Sequence, residues 1–194
     1  MATQQDVWTP DLIRRLGGES RHWPRYECID GELLVTVAPR VAHQAALAAL
    51  FRLLDPYVRG HALGELLWSP SEITLDPNAL VQPDLFVIPR AAARPIGEWK
   101  EVTSLLLAVE VLSPSTARRD RGLKRLYYQR THVPEYWIVD LDSRLVERWR
   151  PGDDRPEIVS ETLVWQPADE HAPLEIALQA MFEKVEGLAG ASGG

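Results

Sequence analysis

Cysteine is nearly absent from this chain, and so are the long apolar runs that would place it in a membrane. Cys28 is the single cysteine among 194 residues, so no intramolecular disulfide can form and a reducing compartment is expected. No apolar run approaches the length of a membrane span. Met1–Asp6 lacks the basic-then-apolar pattern of a signal peptide. The sequence therefore predicts a cytoplasmic protein with no membrane partner.

The motifs of several common enzyme classes are missing as well. The five histidines show neither an H-E-x-x-H pattern nor close pairing, which argues against a zinc site. Ser113 has no G-x-S-x-G setting, so the nucleophile elbow of the hydrolases is excluded. Neither a P-loop nor a G-x-G-x-x-G loop is present. Cys28, close to a hairpin turn, is interpreted as a small buried apolar residue.

Composition and length predict an ordinary globular chain with one domain over residues 1–194. Apolar residues make up 45% and charged residues 25% of the sequence, which is typical of globular proteins. No internal repeat or linker divides the chain, and Gly187–Gly194 is predicted to be a flexible tail. The net charge of −7 argues against a surface that coats nucleic acid indiscriminately, but it leaves room for a local basic groove.

The order of predicted elements indicates an α/β (α+β) fold with a mixed sheet flanked by helices. Thr9 and Pro10 begin a short helix, and Asp30-Gly31 is a two-residue hairpin turn. An apolar stripe predicts a helix over Val41–Val58. Further predictions are strands at 63–75, 81–88, 105–112, 133–140, 145–149 and 158–165, a helix at about 117–131, and a strand-to-helix segment at 174–185.

Two acids inside apolar strands are the most informative feature of the sequence. Asp84 lies near the start of the run Val81–Ile88, and Glu110 lies near the end of Leu105–Leu112. A carboxylate in a buried strand is costly to desolvate unless a metal or a hydrogen-bond donor compensates it. Side by side, the two acids would suit Mg²⁺, which takes one or two carboxylates together with waters and substrate phosphate. The alternative is that each acid caps a loop or pairs with an arginine.

A basic segment follows the second acidic strand directly. Lys124 lies on the predicted helix there and is the best candidate to orient a water or to stabilise a leaving oxygen. The arginines around it could contact a phosphate backbone: Arg118, Arg119, Arg121 and Arg125. The competing interpretation is a solvated helix face with no function.

Four strings along this chain are distinctive when taken together: Tyr26–Leu33 (YECIDGEL), Val81–Ile88 (VQPDLFVI), Val109–Thr116 (VEVLSPST) and Val133–Asp140 (VPEYWIVD). In their order and spacing they resemble the Uma family, a bacterial group of restriction endonucleases within the PD-(D/E)XK nuclease superfamily. The resemblance extends from about residue 26 to residue 182.

The resemblance implies a restriction-endonuclease-like core of about residues 26–182 with an N-terminal hairpin extension. It implies that Asp84 and Glu110 bind the metal, Mg²⁺ with Mn²⁺ as a substitute, and that Glu32 of the Asp-Gly-Glu turn supports the site. His43 lies where family members often carry a histidine; an auxiliary role in the site and a purely structural bond to a nearby loop are both open.

One departure from the superfamily pattern concerns the lysine expected two residues after the second acid. That position is Leu112, whose side chain points the same way as Glu110 because side chains alternate along a strand. In this family the lysine is expected on the following helix, where Lys124 stands in the string KRLYY. A lysine stem is long and flexible enough to return its ammonium to the site.

Three functional hypotheses follow. The first is a Mg²⁺-dependent DNA endonuclease, expected as a homodimer by analogy with enzymes that cut both strands. The second is a non-catalytic nucleic-acid or protein-binding module on a nuclease scaffold, suggested by the acidic net charge and by Leu112. The third is hydrolysis of another phosphodiester, such as RNA or a nucleotide second messenger.

Overall fold

The elements of the protein alternate between short strands and helices along the chain. The computed structural model describes residues 7–17, 23–90 and 97–190. Its elements, in chain order, are α1 (Pro10–Gly17), β1 (Arg25–Ile29), β2 (Glu32–Thr36), α2 (Val41–Gly60), β3 (Gly64–Trp68), β4 (Ala79–Leu80), β5 (Leu85–Pro89), a 3₁₀ helix (Trp99–Glu101), β6 (Leu107–Val111), α3 (Ala117–Arg119), a π-helical turn (Asp120–Lys124), α4 (Arg125–Arg130), β7 (Glu135–Asp140), β8 (Leu145–Trp149), β9 (Glu157–Val159), β10 (Thr162–Trp165), β11 (Leu174–Ala177) and α5 (Leu178–Gly190).

A six-stranded mixed sheet carries the fold, with strand order β3-β5-β6-β7-β8-β9. Only the β6–β7 pair is parallel among these strands. Parallel neighbours need a long crossover connection, and here α3, the π turn and α4 supply it. We call this continuous helical segment the 117–130 helix. The crossover carries the basic residues from the end of β6 across one face of the sheet.

The two faces of the sheet pack against different partners, because successive side chains of a strand alternate. Leu107, Val109 and Val111 of β6 belong to the hydrophobic cluster that includes α2 and α5. Ala108 belongs to the opposite cluster, which includes Tyr127 and other residues of the 117–130 helix and the hairpin. Buried on both faces, β6 is a continuous apolar run that accepts one charged residue.

A three-stranded antiparallel sheet, ordered β2-β1-β4, covers part of this second face. Its hairpin turns at Asp30 and Gly31, whose φ angles are 51° and 86°. Positive φ at both central residues defines the type I′ turn that Asp-Gly favours, so the predicted hairpin is confirmed. The remaining pair, β10 and β11, forms a separate antiparallel ribbon that leads into α5.

The predicted mixed sheet flanked by helices is confirmed, but three boundaries differ. Residues 158–165 divide into β9 and β10, which belong to different sheets. The helix predicted at about 117–131 contains a π turn. The tail predicted from Gly187 overlaps the last turn of α5, which continues to Gly190. Met1–Asp6 and the last four residues lie outside the described ranges. No helix within those ranges is long and apolar enough to cross a membrane.

The closing helix α5 provides a test of this packing. Phe182 is 1% exposed and lies in the cluster between the sheet and the helices, whereas Leu188 on the same helix is 55% exposed. We expect Phe182→Ala to lower the free energy of unfolding by about 3–5 kcal/mol, since a buried ring leaves a cavity. Leu188→Ala should change it by no more than about 0.5 kcal/mol. Urea denaturation followed by tryptophan fluorescence measures both, and equal losses would contradict the packing.

Candidate active site

The antiparallel pairing of β5 and β6 places the two acids opposite each other. The register pairs Leu85 with Val109, so the preceding Asp84 and the following Glu110 face one another across the same step. Asp84 also replaces a backbone acceptor, because its Oδ2 accepts the Val111 N–H at 3.0 Å. Asp84 is 5% and Glu110 4% exposed. Both acids are therefore buried carboxyl groups at the same end of two neighbouring strands inside the large sheet.

Asp84 is held as a carboxylate by three donors. Besides Val111 N–H, His43 Nε2 donates to Oδ2 at 3.0 Å and Arg25 donates to Oδ1 at 3.3 Å. Burial raises the pKa of Asp84, but the hydrogen bond and charge of His43, with Arg25 and the backbone amide, outweigh it and hold the pKa at about 2. His43 lies in the first turn of α2 and is itself buried. The start of that helix thus orients one acid of the pair.

Glu110 shares the Lys124 ammonium with a second glutamate. Lys124 Nζ donates to Glu110 Oε1 at 2.8 Å and lies 2.9 Å from Glu27 Oε1. Glu27 comes from β1 of the hairpin, and its Oε1 also accepts the Gln82 N–H at 2.6 Å. The Tyr128 hydroxyl lies 3.4 Å from Glu110 Oε1. Carboxylates from two separate segments, β1 and β6, therefore converge on one buried ammonium.

The π turn explains how a helix lysine reaches the sheet. Arg125 N–H bonds the carbonyl of Asp120, five residues back, and such a turn is often found at functional sites. Asp120 and Lys124, at its two ends, are both buried. Leu112, at the usual lysine position, packs with the apolar cluster on this face instead. The Lys124 ammonium therefore comes from the helix to a part of the site where the strand itself carries only the apolar Leu112.

Proton affinities in this group are strongly shifted. Burial raises the pKa of Glu110 well above its usual value, although Lys124 opposes the shift. Burial lowers the pKa of Lys124, but Glu110, Glu27 and Asp120 outweigh it and raise that pKa well above the usual lysine value. Burial also raises the pKa of Asp120 to about 6. Lys124 is thus a permanent cation, and Glu110 and Asp120 hold a proton more tightly than ordinary carboxyl groups do.

A cavity of about 520 Å³ opens onto these groups. Its buried or largely buried lining holds four carboxylates against two permanent cations: Glu27, Asp84, Glu110 and Asp120 against Arg25 and Lys124. When these groups and His43, which lines the same cavity, are all charged, one negative charge is left uncompensated in a region of low dielectric. Such a surplus favours a divalent cation over a further ammonium or a neutral ligand.

The donor set fits Mg²⁺ only as a partial shell. Within residues 7–17, 23–90 and 97–190 no three His, Cys, Asp or Glu side chains are arranged to hold a metal ion. Mg²⁺ commonly uses one or two protein carboxylates and completes its octahedron with waters and substrate phosphate. Glu110 Oε2 accepts no hydrogen bond within the same ranges, and Asp84 Oδ1 has one long bond from Arg25. These two oxygens are the ones available for such an ion.

Of the residues proposed for the site, the structure brings together Asp84, Glu110, Lys124 and His43, but not Glu32. Glu32 pairs with Ile29 at the turn end of the hairpin and is exposed. Glu27 lies two residues before Ile29 on the same face, about 7 Å further from the turn, and is buried beside Lys124. Glu27 could have been identified from the sequence, because it shares one strand face with Ile29. An acid on a strand face that otherwise points into the core is exceptional.

Three of the four arginines proposed for nucleic-acid binding are engaged within the protein. Arg119 donates to the Val35 carbonyl at 2.8 Å. Arg121 pairs with Glu147 at 2.6 Å and Asp140 at 3.0 Å, and Arg125 stacks 4.7 Å from the Trp149 ring centre. Arg118 is exposed and has no side-chain hydrogen bond or ion pair in the described ranges. The basic segment therefore acts in part as structural support for the 117–130 helix.

Comparison with known proteins assigns this arrangement to a family. A family model with the description "Uma2: Putative restriction endonuclease" matches residues 11–183. The chain belongs to the Uma2 family. The resemblance inferred from the four sequence strings is thereby confirmed, and the family's description supports a nuclease function.

A solved structure supports the same fold. The crystal structure described as a putative nuclease belonging to DUF820, from Anabaena variabilis ATCC 29413, matches with a TM-score of 0.73. The alignment covers 92% of this chain and 99% of that chain at 18% sequence identity, a level at which the likeness shows the fold alone. Comparison with curated proteins found no match.

The raised pKa of Asp120 predicts a pH-dependent stability. A carboxyl group with a folded pKa of about 6 and an unfolded pKa of 3.8 contributes stability below pH 3.8 and loses it as the pH rises through 6. As the pH rises from 4.5 to 7.5, we expect the free energy of unfolding of Asp120→Asn to increase by about 2 kcal/mol relative to that of wild type.

Urea unfolding at the two pH values measures this change. Asp169→Asn, at an exposed position, is the matched control. Its free energy of unfolding should change with pH as that of wild type does. A pH-independent difference between Asp120→Asn and wild type would show that Asp120 does not carry the shift.

Proposed function

We propose that this Uma2 protein is a Mg²⁺-dependent endonuclease that hydrolyses DNA phosphodiester bonds, with Mn²⁺ as a substitute ion. The observation that carries the proposal is the facing pair Asp84 and Glu110 beside Lys124, in a cavity with surplus negative charge. Two adjacent carboxylates can hold a divalent ion for phosphodiester hydrolysis, and an ammonium beside them can direct the attacking water. The family description supports DNA as the substrate.

In this proposal each residue has a distinct task. Asp84 and Glu110 would hold the ion, which would supply charge stabilisation at the phosphoryl oxygens. Lys124 donates a hydrogen bond to the attacking water or to a phosphate oxygen and so fixes its direction. His43 and Arg25 keep Asp84 ionised and oriented through bonds of 3.0 and 3.3 Å. Arg118, at the start of the same helical segment, contacts the phosphate backbone.

A duplex cut requires one such site for each strand. The cavity described here holds one facing pair of proposed metal ligands, Asp84 and Glu110, so we propose that double-strand cleavage takes place in a homodimer. The proposal rests on the analogy with nucleases that pair two sites. Sedimentation analysis with and without a duplex tests it.

The acids can be tested without altering their shape. We expect Asp84→Asn and Glu110→Gln each to reduce Mg²⁺-dependent nicking of supercoiled plasmid by on the order of 100-fold or more, because each amide removes an anionic ligand. Exposed Asp169→Asn and Glu170→Gln are matched controls and should cut like wild type. Thermal unfolding of all four variants establishes that loss of cleavage is not loss of the fold.

Equal cleavage by wild type and the two site variants would contradict the proposal and would point to a contaminating nuclease. Cleavage of RNA but not DNA by the same preparation would instead show that RNA is the substrate. Plasmid and structured RNA substrates in the same Mg²⁺ and Mn²⁺ buffers separate these cases.

A non-catalytic binding module is the second candidate, and one observation favours it. Lys124 already neutralises Glu110 at 2.8 Å, so the site has an internal counter-ion before any metal arrives. Calorimetric titration with Mg²⁺ and Mn²⁺ distinguishes the two candidates. DNA binding without any measurable uptake of either ion would support the module.

A further inference from the structure

The roles proposed for Asp84, Glu110 and Lys124 leave the buried Glu27 without a task. We infer that Glu27 is a positioning residue, which holds the Lys124 ammonium at the site when Glu110 releases it to a divalent cation. The inference rests on the proposed function and adds a residue to it. It follows from the contacts of Lys124, from the burial of all three side chains and from the anchoring of Glu27.

The first step concerns competition for Glu110. Lys124 Nζ and a divalent cation would both bind the Glu110 carboxylate, and Lys124 already lies 2.8 Å from its Oε1. Binding of an ion to that carboxylate weakens its attraction for the ammonium and adds repulsion between the two cations. An ion on Oε2, the oxygen of this carboxylate that accepts no hydrogen bond in the described ranges, therefore weakens the hold of Oε1 on Lys124.

The second step concerns the fate of the lysine. The Lys124 side chain is about 5% exposed, and a buried ammonium without an anionic partner is strongly unfavourable. With Glu110 as its only partner, Lys124 would have to leave the site or lose its proton when the ion binds. Either outcome would remove the group proposed to direct the water.

The third step is that Glu27 supplies the missing partner. Its Oε1 lies 2.9 Å from Lys124 Nζ, and its side chain is 3% exposed. The Gln82 N–H donates to the same oxygen at 2.6 Å, which fixes the carboxylate to the segment that leads into Asp84. Glu27 thus remains beside Lys124 whatever Glu110 binds.

Lysine reactivity tests this arrangement directly, because the chain has three lysines: Lys100, Lys124 and Lys184. Lys100 and Lys184 are exposed and provide internal references. Reductive methylation of the whole protein, followed by peptide mass spectrometry, measures the protection of Lys124 with and without saturating Mn²⁺. In wild type we expect Lys124 to stay protected in both states.

The variant Glu27→Gln should separate the two states. Without Mn²⁺, Glu110 still pairs with Lys124, so protection should persist. With Mn²⁺, Lys124 loses its last carboxylate partner, and its methylation should approach that of the exposed lysines. Glu27→Asp, which keeps the charge, should restore part of the protection. Glu170→Gln, at an exposed position, is the matched control and should behave like wild type.

Three outcomes would overturn the inference. Mn²⁺-dependent exposure of Lys124 in wild type would show that Glu27 does not retain it, and this result needs no variant to fold. Reactive Lys124 in ion-free Glu27→Gln would assign Glu27 a merely structural role. Full protection of Lys124 in Mn²⁺-loaded Glu27→Gln would show that the glutamate is not needed.

Calorimetry with Mn²⁺ distinguishes positioning from direct coordination. Acting through Lys124, Glu27→Gln should weaken Mn²⁺ binding by about tenfold, since the ammonium then depends on Glu110 alone. In a Lys124→Met background, which removes the competing ammonium, the same change should have little effect. An equal loss in both backgrounds would make Glu27 a ligand and overturn the inference. Absence of Mn²⁺ uptake by wild type would overturn the proposed function itself, and this inference with it.

Discussion

The arrangement of this protein depends on a single buried ammonium. Lys124 lies within 3 Å of carboxylates from two different sheets, Glu110 of the large sheet and Glu27 of the hairpin. An unpaired charge at this depth would cost several kcal/mol, so the three elements that meet here must fold together. The hairpin, the sheet and the 117–130 helix are therefore joined by electrostatics as well as by apolar packing.

The backbone around this ion pair is shaped to deliver the lysine. β6 and β7 are parallel, and the crossover between them passes over the face that carries Glu110. The π turn widens the helix at Asp120–Lys124 and directs both ends of the turn into the interior. A lysine on the strand at position 112 would need no such turn. The irregular helix therefore supplies, through Lys124, the lysine that the strand lacks.

Sequence reasoning reached the sheet and the facing acids because both follow from local patterns. The runs around Asp84 and Glu110 are apolar on both sides, which marks buried strands with an exceptional carboxylate. Sequence reasoning proposed Glu32 and did not single out Glu27, because a hairpin presents the same face at both positions and depth along the hairpin is set by tertiary packing. Alternation identifies the face but not the end of the strand that reaches the core.

The arginines show a second limit of prediction from the sequence. Clustered charges along residues 118–130 indicate a basic helix, yet their partners come from distant segments: Arg121 meets Glu147 across 26 residues and Arg130 meets Asp30 across 100. No periodicity within the helix encodes those contacts. A count of basic residues therefore overstates the positive charge offered to a ligand, which agrees with the net charge of −7.

The distribution of charge in the cavity separates a folding role from a functional one. A site built for stability alone would match its acids and bases, because surplus buried charge opposes folding. Here four acids face Arg25, Lys124 and His43, and burial raises the pKa of Glu110 and of Asp120. Apolar or amide side chains at these positions would relieve the surplus. Its presence beside an open cavity is most simply explained by a positively charged ligand that completes the site.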